Sequence, residues 1–303
     1  MNKGLNLAAL VDWTTEFPLG NLIYTSRPWI SQEEGKPWGK GSGLNVGPNN
    51  EIISLQPNQY ATTLVGTKGY LPSTTATLSW DGNGSIRVKM DTRVIWNTTP
   101  NKKILCIGNT KSSNIQLDVV AAPVSNLRLQ VEDALFRHSF LDRCKKFDVI
   151  RFMQWQNTNS SAYDPRRSLF IITLAQALYY SIGCIPWLCI HHTLEEKDIE
   201  FIAEVTSEIP LYIEYSNEIW NYAFPQYTYM MNRIGPIGKF EDLLKSYAEK
   251  ASLIFSSFRK YNTRVKCVLG TQFANGWVTK QVVRYATSVP DCIGVGFYFG
   301  NKG

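Results

Sequence analysis

The sequence predicts an α/β chain of (β/α)8 TIM-barrel type, incomplete at about six strands, with an inserted all-β sandwich. Three observations predict it. From about residue 124 onward, apolar strand-like runs alternate with amphipathic helical runs, the pattern of βαβ units and a parallel sheet. The stretch 31–123 carries no helical run and is rich in Gly, Thr, Asn, Ser and Pro. Polar and aromatic residues gather at the C-terminal ends of the apolar runs, where barrel enzymes place their chemistry. The expected division is a barrel over 1–30 and 124–303, interrupted by a sandwich over 31–123.

Composition bounds this reading. The chain has 303 residues, 44% hydrophobic and 18% charged, which suits a packed core and excludes a disordered chain. No window approaches 18 uninterrupted apolar residues, so no membrane span is expected. The start, MNKGLNLAALVDWTTEF, lacks a long apolar run and a small-residue cleavage site, so no signal peptide is visible and the compartment is not assigned. Net charge is +6, but the basic residues are scattered, which argues against a nucleic-acid partner. The six cysteines form no CxxC pair and sit mostly in apolar runs, which reads as buried free thiols.

The elements follow in order. A short apolar run at 4–10 is the first strand. In 31–123 short alternating runs are separated by turn signals, and WDGNGSIRV reads as a hairpin because Asp-Gly and Asn-Gly tolerate positive φ. A helix is expected at 133–146 and a strand at 147–155. SLFIITLAQALYYSI (168–182) reads as a helix closed by Gly183. CIPWLCIHH (184–192) is a buried strand with Trp187 in the core. A helix at 193–209 begins with Thr193 as its N-cap. A strand at 211–218, a long helix at 241–261, a strand at 264–272, a helix at 277–288 and a strand at 292–300 complete the pattern. Removing the insert leaves about 210 residues, near the lower limit for eight units.

The strand ends supply the candidate site: Asp12 and Trp13, Arg151 and Trp155, His191 and His192, Asn217 and Glu218, Gln272, and Tyr298. Here Tyr-Ser-Asn217-Glu218-Ile-Trp220-Asn221 resembles the Asn-Glu signature of glycoside hydrolase clan A. More narrowly, FRHSFLDRCKKFDVIRFMQWQNTN and LYIEYSNEIWNYAFPQ resemble uncharacterised bacterial and viral glycosidase-like proteins often described as cellulose-binding. The resemblance implies a retaining glycosidase scaffold, with Glu218 as acid/base and Asn217 on the sugar 2-hydroxyl. It places Arg151, one of His191 or His192, and Tyr298 around the sugar. A metal held by a histidine with Glu195 or Glu196 is the lesser alternative, so no cofactor and no metal are expected.

The same resemblance implies a nucleophilic Glu after a seventh strand. The last Glu here is Glu249, and the one later acid is Asp291, ahead of the sixth strand. The expected nucleophile therefore lies outside this chain, supplied by further sequence, an oligomer or a second chain completing the barrel, or else the chemistry is gone. The rival reading is an inactive carbohydrate-binding or structural virion or surface protein. Bland alternatives stand beside each residue. Glu218 also suits the first turn of a helix, Arg151 a structural ion pair, and Asp12 a turn. Trp13, Trp155, Trp220 and Trp277 suit either core or sugar platform. Adjacent strand residues face opposite ways, so at most one of His191 and His192 faces the site. GxG at 41–43 and 294–296 lacks a phosphate-loop context, so no nucleotide is expected.

Overall fold

The computed structural model describes residues 3–14, 16–67, 74–107 and 114–296. Along the chain run β1 (Gly4–Asn6), β2 (Ile30–Glu33), β3 (Asn45–Val46), β4 (Ile52–Ser54), β5 (Gln59–Gly66), β6 (Thr74–Asp81), β7 (Ser85–Met90) and β8 (Thr92–Thr99). Then come β9 (Lys102–Ile107), β10 (Ile115–Ala121), β11 (Ser125–Gln130), α1 (His138–Cys144), β12 (Val149–Arg151), α2 (Pro165–Ile182), β13 (Ile185–Ile190) and α3 (Glu196–Val205). The chain continues through β14 (Leu211–Tyr215), α4 (Pro225–Ile234), α5 (Phe240–Tyr261), β15 (Val265–Gln272), α6 (Gly276–Tyr285) and β16 (Cys292–Gly296). Two compact units result, residues 1–7 with 143–303, and residues 8–142.

The first unit is built on one parallel sheet in the order β1-β12-β13-β14-β15-β16. The sheet is open: among the described residues no ladder joins β16 to β1. The barrel expectation is therefore corrected to an open six-stranded parallel sheet, in a chain with six α-helices among its described residues. The βαβ alternation enforces parallel pairing of neighbours. Closure is a separate condition, set jointly by strand number, tilt and shear, and six strands in simple order do not meet it here.

The helices are explained locally. Asp164 caps α2 by accepting from the Arg166 and Arg167 N–H groups, Pro165 takes the first turn, and Gly183 ends the helix in the left-handed region at φ 77°. Helix α3 starts later than expected. Glu195 stands at its cap without a side-chain bond, and the Thr193 hydroxyl is paired instead with His191 Nδ1 at 2.9 Å. Helix α4 is absent from the sequence reading; it is ten residues long and has Pro225 in its first turn. Helix α5 buries Leu244, Tyr247, Ala248, Ala251, Phe255 and Phe258, a helical stripe that faces inward.

The second unit has two four-stranded antiparallel sheets, β2-β5-β10-β7 and β11-β6-β9-β8. Ala61, Val65, Ile86, Leu117 and Val119 from one share a core with Leu78, Trp80, Leu105, Ile107 and Leu129 from the other. The hairpin expected at WDGNGSIRV is corrected. Strand β6 pairs with β9 and β11, whereas β7 pairs with β10 in the other sheet. The Gly-rich turn carries the chain between sheets. Gly82 takes φ 100°, and a Cβ on Gly84 would fall 2.3 Å from the Ala121 carbonyl oxygen. Glycine is needed there for close backbone approach as well as for the turn.

No helix among the described residues is long and apolar enough to cross a membrane. None of the six cysteines is in a disulfide; four are buried and Cys106 and Cys292 are half-buried.

Candidate functional site

Strand register assembles a polar cluster on one face of the parallel sheet. Arg151 pairs with Trp187, Trp187 with Tyr212, and Cys189 with Glu214. Paired residues share a face and alternate residues repeat it, so Arg151, Trp187, Cys189, Tyr212 and Glu214 all project the same way. The opposite face presents Ile150, Leu188, Ile190, Leu211, Ile213 and Leu269, all buried.

Glu214 is the centre of this cluster. Its Oε2 accepts from Arg151 Nε at 3.1 Å and Nη2 at 2.7 Å, and from Trp187 Nε1 at 3.0 Å. The Cys189 thiol also donates to it, at 3.6 Å. The Arg151 guanidinium lies 5.1 Å from the Trp187 ring centroid. Burial opposes the Arg151 charge, but Cys189 and Glu214 outweigh it and raise its pKa. Burial pushes the Cys189 thiol up, Glu214 adds to the effect, and Arg151 opposes it.

Arg151 also reaches the loop after β14. Its Nη2 donates to Asn217 Oδ1 at 3.2 Å, and Asn217 Nδ2 donates to Asn159 Oδ1 at 3.1 Å. Gln226 Nε2 donates to Asn159 Oδ1 at 2.8 Å and to the Asn217 carbonyl oxygen at 2.5 Å. The residues on either side of Asn217, Ser216 and Glu218, take left-handed backbone conformations at φ 58° and 44°. Such conformations cost roughly 1–3 kcal/mol each and persist where surrounding bonds over-determine them; the Asn217 network supplies those bonds.

This loop presents Glu218 to a cleft of ≈ 430 Å³ lined by Glu218, Trp220, Asn221, Tyr222, Gln272 and Phe273, among others. Asn221 Nδ2 donates to Glu218 Oε2 at 3.0 Å. Trp220 is held edge-on to Tyr247, with centroids 6.3 Å apart. Tyr222 and Phe273 are exposed at the cleft mouth, and the buried Thr271 hydroxyl at its edge has no partner among the described residues. Glu218 is the one carboxylate among the described lining residues.

The expected site residues thus divide. Glu218, Trp220 and Gln272 meet in the cleft, and Arg151 and Asn217 support it from the sheet side. Trp155 is buried edge-on against Phe152 and belongs to the core. His191 and His192 do not face opposite ways. Strand β13 ends at Ile190, so alternation no longer applies, and the two rings stack at 4.2 Å. His191 is bonded to Thr193 and the Ser160 carbonyl oxygen, and neither histidine lines the Glu218 cleft. Trp187, expected in the core, is a half-buried member of the polar cluster. Tyr298 lies outside the described residues.

Asp12 and Trp13 belong to the second unit. Asp12 is buried and paired with Arg27 at 2.7 Å, also accepting from Thr67, so its role there is to tie a loop to the end of β5. Trp13 is 53% exposed with the Arg27 guanidinium over its ring. Trp277 stacks on Phe240.

Sequence reasoning missed Glu214, Asn159, Gln226, Tyr222 and Phe273. One signal was present for Glu214: an acid inside an apolar strand run is almost never buried without a partner. Among the described residues no group of three His, Cys, Asp or Glu is placed to hold a metal ion.

Comparison with family models, curated proteins and solved structures finds no match for this chain. The likeness to clan A glycosidases rests on the quoted residues alone.

Proposed function

We propose that this chain binds carbohydrate in the cleft of Glu218, Trp220 and Gln272. The observation that carries the reading is the joint lining of one cleft by aromatic rings and hydrogen-bonding groups, Trp220, Tyr222 and Phe273 beside Glu218, Asn221 and Gln272. A sugar ring offers apolar C–H faces and a rim of hydroxyls. Flat amphipathic rings match the faces, and carboxylate and amide groups match the rim.

Retaining hydrolysis with Glu218 as acid/base is the second reading. The strained backbone at Ser216 and Glu218 favours it, since such strain collects at functional sites. That mechanism needs a second carboxylate roughly 5 Å from the first. Glu214 is engaged by Arg151, Trp187 and Cys189, which suits a positioning group better than a nucleophile. Binding is therefore the stronger reading.

The test is calorimetry against a panel of soluble polysaccharides and their oligosaccharides, with release of reducing ends followed in parallel. Binding that falls at least tenfold in Trp220→Ala and Tyr222→Ala, without turnover, supports the proposal. Turnover abolished by Glu218→Gln moves the chain to the hydrolase reading. No binding across the panel overturns both.

A further inference from the structure

The Glu218 cleft is unbalanced in charge. Glu218 is the one charged group among its described lining residues, and no described lysine, arginine or histidine lines it. On the sheet side Arg151 and Glu214 neutralise each other at 2.7 Å, so that neighbourhood adds no net charge. The cleft is left with one negative charge.

Glu218 also differs from the other carboxylates that the fold shields from water. Asp12, Asp118, Glu132 and Glu214, buried or half-buried, are each paired with an arginine at 2.7 to 3.0 Å. Half-buried Glu218 has no such pair among the described residues. Its Oε2 accepts from Asn221 Nδ2 at 3.0 Å. Its Oε1 has no partner among the described residues and is open to solvent. A carboxylate partly withdrawn from water without a counter-charge favours a ligand that brings one. The rings of Trp220, Tyr222 and Phe273 in the same wall act in the same direction, because an aromatic face attracts an ammonium group.

We propose that the glycan taken by this cleft carries free amino groups. It is a polymer of 2-amino sugars, whose ammonium meets Glu218 Oε1 while the sugar ring stacks on the aromatic wall. The proposal rests on the carbohydrate reading and narrows its substrate class. A hydroxyl or N-acetyl group at the same carbon can donate a hydrogen bond to Oε1 but leaves the charge uncompensated. A uronate would set two carboxylates together with no cation between them. Bulk charge works the other way: the chain carries +6 overall, so non-specific attraction favours acidic ligands. A preference for amino sugars is then a property of the cleft.

The test is calorimetry at low salt and pH 6, where sugar amines are protonated. It compares β-1,4-linked tetrasaccharides of glucosamine, N-acetylglucosamine and glucose, and α-1,4-linked tetrasaccharides of galactosamine and galacturonate. The amino sugar of one series is expected to bind at least fivefold more tightly than its uncharged or acidic counterparts, with affinity that falls as salt rises. Glu218→Gln is expected to lower that affinity to the level of the counterparts. Equal affinity for amino and uncharged oligomers, tighter binding of galacturonate, or a preference that survives Glu218→Gln overturns this proposal and leaves the carbohydrate reading standing. No binding in either series overturns both.

Discussion

Half-buried Arg151 and buried Glu214 form a two-pronged pair across three adjacent strands, with Nε and Nη2 both donating to one carboxylate oxygen at 3.1 and 2.7 Å. Arg151 is the last residue of β12 and Glu214 the fourth of β14, with Trp187 of β13 between them. Removing one partner leaves the other charge in a site built to exclude water. Arg151→Met or Glu214→Leu alone is expected to cost about 3–5 kcal/mol. The double change is expected to recover much of that loss, since no buried charge remains. Urea denaturation of the three variants measures it. Single-variant losses below 1 kcal/mol would count against the pairing.

Burial, with the stacked His191 adding to it, pushes the His192 pKa down to about 4, and burial also lowers that of His191. The unfolded chain takes up protons near the ordinary histidine value of about 6.5, whereas the folded chain resists them. Stability is therefore complete above that value and is lost as pH falls from about 6.5 toward 4. For His192 the loss is on the order of 2–3 kcal/mol. Chemical denaturation between pH 7 and 4.5 is expected to show a steeper decline for the native chain than for His192→Phe. Parallel curves would remove this account.

Gly270 leaves little room for a side chain. A Cβ there would meet Tyr247 Oη at 3.0 Å and Glu214 Oε1 at 3.1 Å. The Tyr247 hydroxyl also accepts the Gly270 N–H at 2.9 Å. Gly270→Ala is expected to destabilise the fold by about 1–3 kcal/mol through overpacking. It should also weaken ligand binding, because Trp220 sits 3.5 Å from the same point. A melting temperature equal to that of the native chain would contradict the geometry.

Ser216 is a stabilising opportunity. It has φ 58° and a buried hydroxyl without a partner among the described residues. Ser216→Gly removes both penalties and is expected to raise stability by about 1 kcal/mol. If the strained loop serves the cleft, the same change lowers glycan affinity, as stability and function trade against each other. Thermal melts and calorimetry on one preparation read both effects. A fall in stability would show that the left-handed backbone at Ser216 is not strained.

Much of the first unit was readable in its periodicity. Apolar runs of five to eight residues between amphipathic helices marked β13, β14 and β15, and Gly183 marked the end of α2. The Asn217-Glu218 segment was legible as a polar pair ending an apolar strand. These are local signals, set by side-chain pattern and backbone preference within a few residues.

The rest depended on partners far apart in sequence. WDGNGSIRV has every local mark of a hairpin, yet β6 pairs with β9 and β11 in one sheet and β7 pairs with β10 in the other. The alternation of strand and helix determined parallel pairing, while the open edge of the sheet was decided by strand number and tilt. By itself the sequence determined where most strands and helices of the first unit lie, α4 excepted, and which polar groups follow β13 and β14. Only the tertiary structure decided that Arg151 binds Glu214, 63 residues away, and that Glu218 shares a cleft with Gln272. The physical reason is that register, not composition, brings side chains on separate strands to one face.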